Sequence, residues 1–154
     1  MAITRWRDCC WARWIRPSRP VPNFFDDRIG ADNTISEIEA LEFDIGGTHV
    51  IARLVHHVSG AVCLGYRLEN GSASLAYIPD VEYLEEDHRG PSLELAAGVD
   101  LLIHDAHHTA AEYAPHRGCG HSSDQDAVVS SHRNGDFPVE AAREGEEYVL
   151  GADS

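Results

Sequence analysis

From residue 41 the chain alternates apolar and polar side chains with a period of two, the pattern of strands with one buried face. Leu41 to Ile45, Gly46-Gly47 and Thr48 to His57 read as a strand, a two-residue turn and a second strand. Val62 to Glu69, Asn70-Gly71 and Ser74 to Ile78 repeat the device, so four adjacent strands are expected. The pattern then changes. Pro91-Ser92 opens a helix through Leu93, Leu95 and Ala96 that stops at Gly98. Val99 and Leu101 to Ile103 form a short continuous apolar run, which predicts a strand covered on both faces, as in layered α/β sheets. Thr109 to Glu112 has the form of a helix capping box, and Pro115 limits that helix to about two turns. Ser122 and Ser123 lie three before Gln125 and Asp126 and open a helix that Asn134-Gly135 ends near Arg133. Val139 to Ala142 and Tyr148 to Leu150 read as a last hairpin about Arg143-Glu144-Gly145. The prediction is an α/β fold with strands near 41–46, 48–57, 62–69, 74–79 and 99–104 and helices near 92–97, 109–114 and 123–133.

The first 40 residues differ. Residues 20–40 read as a Pro-rich approach followed by a short helical segment at 35–41. Residues 1–19 hold five of the twelve Arg and all three Trp against one acid, Asp8, without a clean helical stripe, and are expected to be a poorly ordered extension outside a domain spanning 20–154. Composition is otherwise that of one soluble globular domain, with 43% apolar and 25% charged residues. The net charge of −14, with no Lys, disfavours general nucleic-acid binding, which needs clustered positive charge. Cys9, Cys10, Cys63 and Cys119 show no C-x-x-C spacing, which removes zinc-ribbon and thioredoxin-like readings. No apolar run approaches the roughly 20 residues of a membrane span, and the cytoplasm is the expected compartment.

Ten histidines are many for this length, and several fall at strand ends. In open α/β sheets ligands collect beyond the carboxyl ends of strands, where this chain carries His104, Asp105, His107 and His108. Imidazole together with carboxylate suits zinc, manganese or iron. His121 lies between Gly120 and a new N-cap, where free backbone N–H groups favour an anion such as phosphate. His88, His107, His108 and His116 read as solvated loop residues.

The order DLLIHDA, a short acidic helix, then GCGHSS resembles the second half of the metallo-β-lactamase-fold hydrolases, in the branch of ribonuclease Z and related phosphodiesterases. LGYRL at 64–68, LAYIPDVE at 75–82, LELAAGVDLLIHDA at 93–106 and AAREGEEYVL at 141–150 agree in order, so the resemblance covers roughly 36–150. It implies an αββα sandwich, here partial, and a hydrolase with two metal ions, zinc or manganese, acting on a small phosphodiester-type substrate. Asp80 then takes the place of the bridging aspartate, and His57 or its neighbour His56 that of a strand-end metal histidine. His121 matches the histidine that contacts the scissile phosphate and protonates the leaving oxygen, and Asp105 the acid that orients it.

The departures set a second expectation. The family's main metal motif, H-x-H-x-D-H, is nowhere in the 154 residues, and the chain runs from His132-Arg133 to Gly135-Asp136-Phe137 where the family has a helix, a strand and a final histidine. The reading is a C-terminal half with an internal deletion: an impaired hydrolase, or a non-catalytic remnant or binding module. A sheet deprived of its partner exposes an apolar face, through which a homodimer can form.

Overall fold

In a computed structural model, which describes residues 41–58, 61–133 and 138–151, the period-two segments become a five-stranded sheet in the order β1-β2-β3-β4-β5. The expectations for 1–19, for 20–40 and for a helix stop at Asn134-Gly135 lie outside the described residues. Strands β1 (Glu42–Ile45) and β2 (Thr48–Val55) pair antiparallel, with Ile45 opposite Thr48 across Gly46-Gly47, the loop the sequence predicts. Strand β3 (Cys63–Asn70) pairs antiparallel with β2 and with β4 (Ala73–Ile78). The second turn sits one residue later than expected: Asn70 still pairs with Ala73, and its side chain donates to Thr48 Oγ1 at 2.9 Å, which ties the last rung of β3 to β2.

Helix α1 (Gly90–Ala96) then crosses the sheet, and β5 (Leu101–His104) pairs parallel with β4. Leu95 of α1 packs on Val55, Ile78, Val81 and Tyr83. Gly65 makes that approach possible, because a Cβ there would lie 2.8 Å from Leu95 Cδ1 and 3.0 Å from Val55 Cγ1. Arg67 fastens the helix end by donating to the carbonyls of Leu95 and Ala97 at 3.1 and 2.5 Å. The expected capping box and the expected N-cap both form. Thr109 Oγ1 donates to Glu112 at 2.8 Å before α2 (Ala110–Tyr113), and Ser123 Oγ donates to Asp126 at 2.8 Å before α3 (Asp124–Arg133). Pro115 does not stop the chain turning; it sits inside a 3-10 turn, Ala114–His116, whose first positions need no N–H.

Helix α1 covers only one face. The strand register places Phe43, Ile45, Val50, Leu54, Leu64, Tyr66, Leu68, Leu75, Tyr77, Leu101 and Ile103 together on the other face. There Ile45, Leu54, Tyr77 and Ile103 remain 64, 57, 43 and 43% exposed. This corrects the prediction for β5: among the described residues it is an edge strand, and Ile103, on the face away from α1, stays exposed. The closing hairpin also does not form. Described residues 138–151 contain no strand, only a turn closed by Glu146 N–H donating to Arg143 O at 3.1 Å and by Tyr148 donating to Glu140. Its flanks, AAREGEEYVL, place charges beside the turn and pair with nothing that would extend the sheet. Among the described residues no helix is long and apolar enough to cross a membrane.

Candidate functional site

Strands β2 and β4 run the same way because β3 lies antiparallel between them, and β5 is parallel to β4. The carboxyl ends of three strands therefore meet at one end of the sheet, bringing His56-His57, Asp80 to Tyr83 and His104-Asp105 together from segments up to about 50 residues apart. A parallel bridge between His108 and Ser123 adds the 117–124 segment, with Asp124 N–H donating to His108 O at 2.8 Å.

Asp105 is the hub. Its Oδ2 accepts from His121 Nδ1 at 3.1 Å, Ser122 N–H at 3.0 Å and Val81 N–H at 3.3 Å, and Oδ1 accepts from His107 N–H at 3.1 Å. The carboxylate thereby places the proton of His121 on Nδ1 and leaves Nε2 as the basic nitrogen of the ring. His57 stands beside it, with ring centroids 5.9 Å apart, and donates Nδ1–H to Gly120 O at 2.7 Å, so its Nε2 is also uncommitted.

Glu82, which sequence reasoning passed over, organises the loop that carries His121. Its carboxylate is fully buried and accepts from Tyr113 OH at 2.8 Å, Gly118 N–H at 2.6 Å and Gly120 N–H at 2.8 Å. The available signal was a carboxylate inside the apolar run Val81-Glu82-Tyr83, which cannot be buried without donors. Beneath the site, burial lowers the His104 pKa below its ordinary 6.5. His104 donates Nδ1–H to Asp105 O at 2.7 Å and accepts at Nε2 from Tyr83 OH at 2.8 Å; burial pushes that phenol up to about 12 and keeps it a donor.

The neutral state of His104 makes stability pH-dependent. With a folded pKa below that of the unfolded chain, the stabilisation is complete above about 6.5 and is lost as pH falls from there through the folded value, because the unfolded state takes the proton first. Urea midpoints are expected to drop between pH 7 and pH 5, and a His104→Gln variant, lower at both, is expected to drop less. Equal drops in the two proteins would assign the effect elsewhere.

The other candidates divide. His56 turns away from His57: it donates Nδ1–H to Glu82 O at 2.7 Å and stacks on His88 with centroids 3.7 Å apart and planes 9° apart. Asp80 is exposed, one residue before the Val81 N–H that binds Asp105. Burial pushes the Cys63 thiol up, and the charges of Asp80 and Asp105 add to it, so both carboxylates act at this end of the sheet. His108 and His116 are half-buried and stacked at 4.7 Å, and His88 is half-buried against His56, so of the four histidines read as solvated only His107 is exposed. The expected phosphate cradle at the start of α3 is already filled. Ser123 and Gln125 donate their N–H groups to Asp126 and Asp124, and Asp126 is ion-paired to Arg89, so this helix start carries its own anions.

The donor set does not fit a metal centre at the expected place. Among the described residues, the one group of three His, Cys, Asp or Glu side chains with ligand atoms within 4.8 Å of one another is Glu85, Asp87 and His88, and it contains none of His56, His57 and Asp80. Protein zinc sites use three or four protein ligands. The arrangement offers an oriented proton carrier, His121 on Asp105, without an assembled ligand set beside it.

The description of the beta-lactamase superfamily domain matches residues 17–136. The metallo-beta-lactamase fold protein YhfI from Bacillus subtilis is similar at 18% identity and a TM-score of 0.52, over 66% of this chain and 38% of that one. Human tRNase Z, short form, is similar at 23% identity and a TM-score of 0.49, over 60% of this chain and 34% of that one. The chain thus spans little more than a third of the length of either. No curated protein matches it.

Proposed function

The chain belongs to the beta-lactamase superfamily, and from that premise we propose that it is a phosphodiester-type hydrolase domain whose metal centre is incomplete, so that by itself it turns over substrate poorly or not at all. The observation that carries the reading is the contrast between the Asp105–His121 pair, held at 3.1 Å, and the lack, among the described residues, of any three-ligand group that includes His56, His57 or Asp80. In the superfamily, by resemblance, two zinc or manganese ions supply the activated hydroxide. This chain's own residues retain the other half of the chemistry: Asp105 holds the Nδ1–H of His121, and Nε2 is the atom through which that ring would take up and hand over a proton. A proton donor alone contributes about 10²- to 10⁴-fold, well short of the roughly 10⁶-fold or more of an enzyme.

The test is purified protein with zinc or manganese, assayed on bis-p-nitrophenyl phosphate and on a cyclic nucleotide. The expected result is no metal-dependent turnover, unchanged by Asp80→Ala. Metal-dependent turnover that Asp80→Ala abolishes would overturn the proposal. The exposed apolar sheet face supports pairing of two copies through it, and the same preparation should sediment as a dimer that Leu54→Glu converts to monomer; a monomeric parent protein rules that out.

A further inference from the structure

We propose that Glu85, Asp87 and His88 form a site for one divalent transition-metal cation, outside the Asp105–His121 cluster and independent of the hydrolase reading. The 3-10 turn Glu86–Arg89 and the extended Glu85 before it bring two carboxylates and one imidazole together, with their ligand atoms all within 4.8 Å of one another. Donors about 2.1 Å from a shared ion lie at most about 4.2 Å apart, so capture needs only small movements of Glu85 and Asp87, both exposed.

Two further features favour a cation. The neighbouring guanidinium groups are spent elsewhere: Arg89 pairs with Asp126 and Glu86, Arg133 with Glu86, and Arg117 donates to Leu84 O. Glu85 and Asp87 therefore have no Arg partner among the described residues, in a chain of net charge −14. The second feature is the imidazole. His56, His57, His104 and His121 each spend Nδ1 on an oxygen, whereas His88 Nδ1 is buried with no partner and Nε2 lies 4.0 Å from Asp87 Oδ1, too far for a hydrogen bond. Stacking holds that ring instead, 3.7 Å from His56, which Glu82 O fixes in turn. The ring is thus positioned with Nε2 on the Asp87 side as the donor nitrogen, since Nδ1 is buried. One nitrogen and two carboxylates select zinc, cobalt or manganese over magnesium and calcium, which prefer all-oxygen shells.

The experiment is calorimetric titration of the metal-free full chain with Co²⁺, followed in parallel by its visible spectrum. One equivalent should bind with a nitrogen-ligand signature. Affinity should fall at least about tenfold in His88→Ala and in the double variant Glu85→Gln, Asp87→Asn, whose exposed positions leave the fold intact. His57→Ala and Asp80→Asn should bind as the parent does. Absence of binding, equal binding by the Glu85, Asp87 double variant, or loss in the His57 or Asp80 variants instead would each overturn the assignment. Because the hydrolase reading is tested through Asp80-dependent turnover, the two can fail separately.

Discussion

Replacing Glu82 with alanine is expected to lower the unfolding free energy by about 3–5 kcal/mol, since three donors lose their acceptor and each unsatisfied buried donor costs about 1–3 kcal/mol. The lower part of the summed range applies because Gly118 is exposed and water can reach its N–H, whereas Gly120 is buried. Against a typical domain stability of about 5–15 kcal/mol this is a large share. Local effects should exceed the global one. Amide exchange at Gly118 and Gly120 should accelerate most, since the loop bearing His121 loses its anchor. Tyr113, whose phenol burial and the Glu82 carboxylate hold well above its ordinary range, should titrate lower. Glu82→Gln, which keeps one acceptor oxygen, should fall between. A loss under about 1 kcal/mol, with Tyr113 unmoved, would show that Glu82 does not organise the loop.

Gly120→Ala is the second large effect. At φ +95 a side chain is strained, and a Cβ there would lie 2.1 Å from His57 Cε1 and 2.2 Å from its Nδ1. Left-handed backbone costs about 1–2 kcal/mol outside glycine, and driving the imidazole away breaks a hydrogen bond worth about 1 kcal/mol net. Together these give about 2–3 kcal/mol, with His57 released from Gly120 O. Imidazole ¹⁵N shifts should report loss of the single Nδ1–H tautomer. A double-mutant cycle isolates the clash: Gly120→Ala made in a His57→Ala background should cost at least about 1 kcal/mol less than in the parent chain. Additive losses would place the cost in the backbone alone.

The local half of this molecule was legible in the sequence. A Gly-Gly loop, a capping box, a serine N-cap and a helix opened by Pro91 depend on groups within about four residues of one another, so composition at those positions determines them. The period-two pattern likewise announced four of the strands and the resemblance announced the family, because both are properties of residue order. Even so, Asn70 joined the ladder rather than the turn, since its partner Thr48 lies 22 residues away.

What only the tertiary structure decided is everything that depends on which surface meets which. The apolar run of β5 is compatible with a strand covered twice or once, and in the fold α1 lies on the opposite face from Ile103, which stays exposed. His56 and His57 are equivalent in a sequence. In the fold, one stacks on His88 and the other donates to Gly120, because successive side chains of an extended chain point to opposite sides. Glu82 shows the physical reason most plainly: a buried carboxylate is stable only among donors, and its donors lie 31 to 38 residues further on, brought to it by the 3-10 turn and loop that follow α2. Periodicity reports which side chains avoid water. The partners that replace that water are chosen only when distant segments close.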